Sequence, residues 1–143
     1  MEAGDDATPK APFLNGTVGS GKTTTASEIG IILQQRGTPH ATIDLDCLRN
    51  AWPSPTDDPF HQELELRNLA AVVGSFRHAG AQVIVLAGVI ETGEARSRYE
   101  IALAAILAAA QVDDVTVDVD DHPTGAVAAE VARAVGWSDS VGP

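Results

Sequence analysis

The chain predicts an α/β three-layer sandwich on a short, mostly parallel sheet of about four strands. Three observations carry this expectation. Short apolar runs rich in branched residues alternate with longer segments of helical periodicity. The run Gln82-Val-Ile-Val-Leu-Ala-Gly88 is apolar without alternation, as a strand covered on both faces must be. Residues Gly16 to Thr23 read G-T-V-G-S-G-K-T, a full match to the phosphate-binding pattern G-x-x-x-x-G-K-[ST], which belongs between a strand and a helix.

The elements follow in order. Residues 1–10 are polar and acidic and are expected to form a disordered tail, leaving 11–143 as a single domain. Residues 11–15 predict the first strand. Ala26, Ile29, Ile32 and Leu33 recur at helical spacing after the glycine-rich loop, and Arg36-Gly37 is a stop signal. Residues 40–44 predict a second strand, residues 45–52 a short helical turn, and the proline-rich stretch 53–59 a loop. Residues 60–78 predict a long amphipathic helix ended by Ala79-Gly80. Residues 82–88 are the central strand, 94–111 a third helix, 115–119 an alternating last strand, and 124–135 a closing helix.

The bulk numbers exclude several roles. Lysine and arginine total 9 against 20 acidic residues, a net charge of −11, so no basic face exists to displace counterions from a nucleic acid or to meet an anionic membrane. No apolar run reaches the ~18 residues of a membrane span. Cys47 is the lone cysteine, which rules out an internal disulfide and fits a reducing, cytoplasmic setting. It is expected to be a small buried residue, and Trp52 and Trp137 to be packing residues. His40, His61, His78 and His122 show no metal-ligand spacing.

The loop motif defines a chemistry. Gly16, Gly19 and Gly21 let the backbone of Gly16, Thr17, Val18, Gly19, Ser20 and Gly21 curl so that successive N–H groups meet phosphate oxygens. Lys22 brings a point charge to the β- and γ-phosphates. Thr23 offers a hydroxyl to Mg²⁺, and Thr24 continues the helix whose positive end faces the same phosphates. A P-loop NTPase-like fold follows. No Asn-Lys-x-Asp motif favours guanine, so ATP is the expected nucleotide.

The second cluster is Ile43-Asp-Leu-Asp-Cys-Leu-Arg49. Asp44 and Asp46 flank the end of a strand that follows the loop helix. A carboxylate there can hold Mg²⁺ or take a proton from an attacking hydroxyl. The structural alternative is a helix cap from Asp46 and plain strand-end solvation of Asp44. No acid ends the 82–88 strand and Glu91 lies late, so Thr23, and Asp44 through water, are the expected metal ligands.

The order GTVGSGKT, IDLDCLRNAW, ELELRNLAAVV and VIVLAGVI resembles the small P-loop kinases, adenylylsulfate kinase above all. The resemblance implies transfer of the γ-phosphoryl group of ATP to a hydroxyl of a small acceptor, with Lys22, Asp44 and Asp46 as the catalytic set. Those kinases carry Asp-Gly-Asp followed by arginine where this chain has Asp44-Leu45-Asp46 and Arg49, so adenylylsulfate itself is doubtful as acceptor. Their Asn-Ile-Arg motif is matched loosely by Glu65-Leu66-Arg67. Arg49, Arg67 and Arg96 are the expected acceptor-holding cations. The chain also runs from its third helix straight to its last strand, so the family's fourth strand and arginine-rich lid are expected to be missing. Two alternatives follow: a nucleotide-binding module without turnover, and a slow NTP hydrolase. A sheet edge left open by the missing strand favours a homodimer.

Overall fold

The computed structural model describes residues 9–15, 22–88 and 94–118. Four strands and three helices occur in the order β1 (Lys10–Asn15), α1 (Lys22–Gln35), β2 (His40–Asp44), a short 3₁₀ helix (Leu45–Arg49), α2 (Gln62–His78), β3 (Val83–Gly88), α3 (Glu94–Ala109) and β4 (Asp113–Asp118). The strands pair in the order β2-β3-β1-β4, every neighbour parallel. The closing helix expected over 124–135, Trp137, and the expected tail as far as residue 8 lie outside the described residues.

Topology decides which face each helix covers. The chain steps one way from β1 to β2 and the other way from β2 to β3 and from β3 to β4. Right-handed crossovers therefore send α1 to one face and α2 with α3 to the opposite one. Alternation along the strands agrees. Ala11, Phe13, Ala41, Ile43, Ile84 and Leu86 join Leu69, Val73, Tyr99, Leu103 and Leu107 in one buried cluster. Leu14 and Val85, with opposite parity, are fully buried as are Ile29 and Leu33 of α1. All six residues of β3 are buried, as its unbroken apolar run requires.

β1 is an interior strand that carries Pro12. Its ladder to β4 is continuous, whereas the ladder to β3 has no pair at Ala11 or Pro12. Proline has no N–H to give there. The last of the described strands, β4, lies beside β1, and only residues 110–112 join it to α3. No lid intervenes at that junction.

The helix ends explain where the sequence-based boundaries hold. Gly37 and Gly80 adopt φ of 73° and 107°, and the chain closes on α1 and α2 through Thr38 N–H to the Leu33 carbonyl and Ala81 N–H to the Phe76 carbonyl. The end of α3 was expected at residue 111 but falls at Ala109, because Gln111 takes the same left-handed role at φ 61° without a glycine to announce it. At the head of α2 the Asp58 carboxylate accepts from the N–H groups of Gln62 (2.8 Å) and Glu63 (3.0 Å). The helix therefore begins at Gln62, two residues later than expected. No helix among the described residues is long and apolar enough to cross a membrane.

Candidate functional site

The strands point their C-terminal ends to one side, where ligands of open parallel sheets bind at the switch of strand order. Here the switch falls between β1 and β3, whose last residues Asn15 and Gly88 are register partners. β1 ends at Asn15 and α1 begins at Lys22, so residues 16–21 connect a strand to a helix as the phosphate motif demands. Those six residues lie outside the described set; Lys22, Thr23 and Thr24 form the first turn of α1.

One strand over, Asp44 ends β2 in register with Ala87. It lines a small cavity of about 210 Å³ with Ala26, Ser27, Gly30, Thr42 and Ala87, on the α1 side of the sheet. Its Oδ1 accepts the Asp46 N–H at 3.0 Å, which makes Asp44 the cap of the 3₁₀ helix. The capping expected of Asp46 thus belongs to Asp44. Asp46 turns to the other side of this helix and receives Arg49 Nη2 at 2.9 Å. The two carboxylates of the Asp-Leu-Asp motif are therefore divided: Asp44 faces α1, and Asp46 faces α2.

On the Asp46 side a cleft of about 790 Å³ opens between the 3₁₀ helix and the head of α2. Asp46, Cys47, Arg49, Asn50, Phe60, His61 and Gln62 line it. Cys47 is exposed, against the expectation of burial, because a 3₁₀ helix capped at the sheet edge covers only its Leu45 side. Trp52 is 90% exposed rather than packed, since the proline-rich loop carries it away from the core.

Behind the cleft sits a polar network on three elements. Glu65 is almost wholly buried in the first turns of α2. Its Oε1 lies 3.7 Å from Arg49 Nε, and Tyr99 of α3 donates its hydroxyl to Oε2. Burial pushes the Glu65 pKa up, and the Tyr99 bond and Arg49 charge partly counter it. Burial, and then the bond to Glu65, raise the Tyr99 phenol far above its ordinary range. Asn68 Nδ2 donates to the Leu48 carbonyl at 2.7 Å and ties the 3₁₀ helix to α2.

Leu45 replaces the glycine of the Asp-Gly-Asp pattern, and its side chain is buried over Gly88. A β-carbon built on Gly88 would stand 2.8 Å from Leu45 Cδ1 and 3.1 Å from its Cβ.

Of the three expected acceptor arginines, Arg49 alone lines the cleft. Arg67 is exposed two residues beyond Glu65, about 200° around α2 and so on the opposite face. Arg96 pairs with Glu100 at 3.2 Å along α3. The pairing of Glu65 with Tyr99 escapes notice in the sequence, where Glu65 enters only as part of a loose motif match and His61 only as a histidine without metal-ligand spacing. The available signal is that Glu65, Leu69 and Val73 share one helical stripe, as do Tyr99, Leu103 and Leu107. A carboxylate on an apolar stripe needs a partner.

Of three comparisons with known proteins, one finds a match. No protein-family model matches the chain, and no curated protein matches its sequence. Among solved structures, the APS kinase CysC of Mycobacterium tuberculosis, as a cysteine-to-alanine mutant, aligns with a TM-score of 0.64 at 20% identity, over 90% of this chain and 97% of that one. The same enzyme in complex with AMPPNP and APS aligns at 0.57 and 23% identity, over 79% of this chain and 63% of that one. A protein called APE1195 aligns at 0.59 and 18% identity, over 89% and 68%. The chain therefore shares the α/β fold of these APS kinase structures.

Proposed function

We propose that this protein transfers the γ-phosphoryl group of ATP to a hydroxyl of a small molecule. The observation that carries the reading is the placement of Asp44. It ends β2 on the α1 side, above a cavity shared with the first turns of the helix that the phosphate motif opens. Residues 16–24 cradle the phosphates and Lys22 neutralises them. Mg²⁺ prefers a few hard oxygen ligands and keeps the rest of its shell for phosphate and water. The Thr23 hydroxyl and the Asp44 carboxylate are such a pair; Oδ1 of Asp44 serves the cap, which leaves Oδ2 for the ion or for a proton. The acceptor oxygen bonds to the γ-phosphorus, the bond to the ADP oxygen breaks, and the hydroxyl proton passes to Asp44 and then to water. Arg49 and Asp46 orient the acceptor in the cleft.

A structure of the same fold is a complex with AMPPNP and APS, which supports a nucleotide and a small-molecule acceptor as ligands here. The test is phosphoryl transfer from labelled Mg-ATP across a broad panel of hydroxyl compounds. Labelled product that disappears in Lys22→Ala supports the reading, and ADP-free mixtures throughout the panel end it. A second reading, nucleotide binding without turnover, draws on the direct α3–β4 junction, which leaves no room between those elements for a cation-bearing lid. Tight binding of ATP with no ADP formed, even with excess acceptor, distinguishes it. A single soluble domain over residues 11–143 is part of the proposal, and so is a reducing, cytoplasmic setting.

A further inference from the structure

The acceptor cleft holds a cation that is already neutralised. Arg49 is the one arginine or lysine among the described lining residues, and two carboxylates hold it. Asp46 takes Nη2 at 2.9 Å at the cleft wall, and Glu65 stands 3.7 Å from Nε on the buried side. An anionic acceptor that reached Arg49 would share its guanidinium with Asp46 and sit beside a carboxylate that remains part-exposed on the same wall. Like charges at such separations repel, and more strongly in a cleft than in bulk water. The other lining groups suit a neutral partner. The Asn50 and Gln62 amides donate and accept, and Phe60, 74% exposed at the cleft, presents an aromatic face to a ring.

We propose that this cleft takes a ring-bearing hydroxyl compound that is uncharged or cationic, such as a sugar, an amino sugar or a nucleoside, and rejects anionic acceptors of the adenylylsulfate kind. The inference rests on the phosphotransfer reading above and names its substrate class. Three features act together. Asp46 accepts from acceptor hydroxyl or ammonium groups. Glu65 is a positioning residue that fixes Arg49 from behind. Tyr99 holds Glu65 in place from α3. The fully buried Leu45, where the related kinases have glycine, closes the space over Gly88.

The experiment uses the full chain loaded with Mg-ADP and matched probes: adenosine against adenylate and adenylylsulfate, and glucose and glucosamine against glucuronate. Binding is read by calorimetry, and transfer by labelled Mg-ATP in parallel. At least one uncharged or cationic probe is expected to bind, tenfold or more tighter than its anionic counterpart. Equal or tighter binding of the anions overturns the inference, as does a failure of every probe to bind while Mg-ADP binds. A binding preference without labelled product overturns the phosphotransfer reading and leaves the cleft assignment standing. Asp46→Asn, a change at a part-exposed side chain, and Asp46→Asn with Glu65→Gln, which keeps an acceptor for Tyr99, release Arg49 in two steps. The preference is expected to move toward the anion by about tenfold over the two steps. An unmoved ratio in two folded variants overturns the role given to Glu65.

Discussion

Tyr99 donates its hydroxyl to the carboxylate of Glu65 at the cleft end of the interface between α2 and α3. From that polar rung, Leu69 and Val73 continue the buried stripe of α2, and Leu103 and Leu107 continue that of α3. The pair is the point where the core ends and the candidate site begins, so its perturbation reads out in both stability and ligand binding.

The first prediction concerns pH. Burial raises the Glu65 pKa from its ordinary value of 4.5, so between the unfolded and folded values the folded state holds more protons than the unfolded chain. Its contribution to stability is thus complete below the unfolded value and falls as pH rises through the folded one. Glu65→Gln removes that titration. The unfolding free energy of the variant minus that of the parent should rise as pH climbs from the unfolded value of 4.5 through the higher folded one. Urea titrations at several pH values measure the difference; parallel curves would mean the carboxylate is well solvated.

Tyr99→Phe removes the donor to Oε2 of Glu65 and leaves that oxygen against a phenyl ring. The expected cost is about 1–3 kcal/mol, the usual penalty for an abandoned buried polar group. Denaturant midpoints of the parent and variant, compared at equal slope, check it. A loss near zero would show that water replaces the hydroxyl.

Gly88→Ala pushes a methyl against Leu45. The clash includes Leu45 Cβ at 3.1 Å, which no rotamer change relieves. We expect a loss of about 1–3 kcal/mol from overpacking. Thermal unfolding decides it, and an unchanged midpoint would show that the 3₁₀ helix shifts freely.

The two motif carboxylates should separate in kinetics. Asparagine keeps the oxygen that caps the 3₁₀ helix, so Asp44→Asn should fold normally. It should lower kcat at least a hundredfold, the lower end of what a positioned base contributes. Asp46→Asn should act mainly on acceptor KM. Steady-state kinetics with a responsive acceptor measures both, and equal losses in kcat would refute the division of roles.

Lys22→Ala should weaken ATP binding tenfold or more, about 1.4 kcal/mol for each factor of ten. Calorimetry with Mg-ATP reads it directly. Binding that survives the change would place the phosphates elsewhere.

Much of the fold was legible because its signals are local. The unbroken apolar run of β3, the glycines at 37 and 80, and the phosphate motif each state an element or an end. The direct run from α3 to β4 follows from counting elements, whereas the pairing of β4 with β1 does not. What stayed hidden depends on contacts far apart in sequence. Glu65 and Tyr99 are 34 positions apart, and Arg49 joins them from a third element. Cys47 and Trp52 carry residue types that usually pack, but a one-sided 3₁₀ helix and a proline-rich loop expose them. Arg67 and Arg96 looked equivalent to Arg49 in the sequence. Helical phase and a neighbouring Glu100 are what separate them from it.

The contact of Leu45 with Gly88 also limits how this chain can change over generations. A large side chain at 45 and any β-carbon at 88 exclude one another, so the two positions cannot drift independently. A smaller residue must arrive at 45 before 88 can leave glycine, and the reverse order passes through a strained intermediate. Position 88 ends β3 at the switch point, and position 45 lies between the two motif carboxylates. Homologues that have altered one side of the site should therefore show the matching alteration on the other, with the size at 45 anticorrelated with the size at 88.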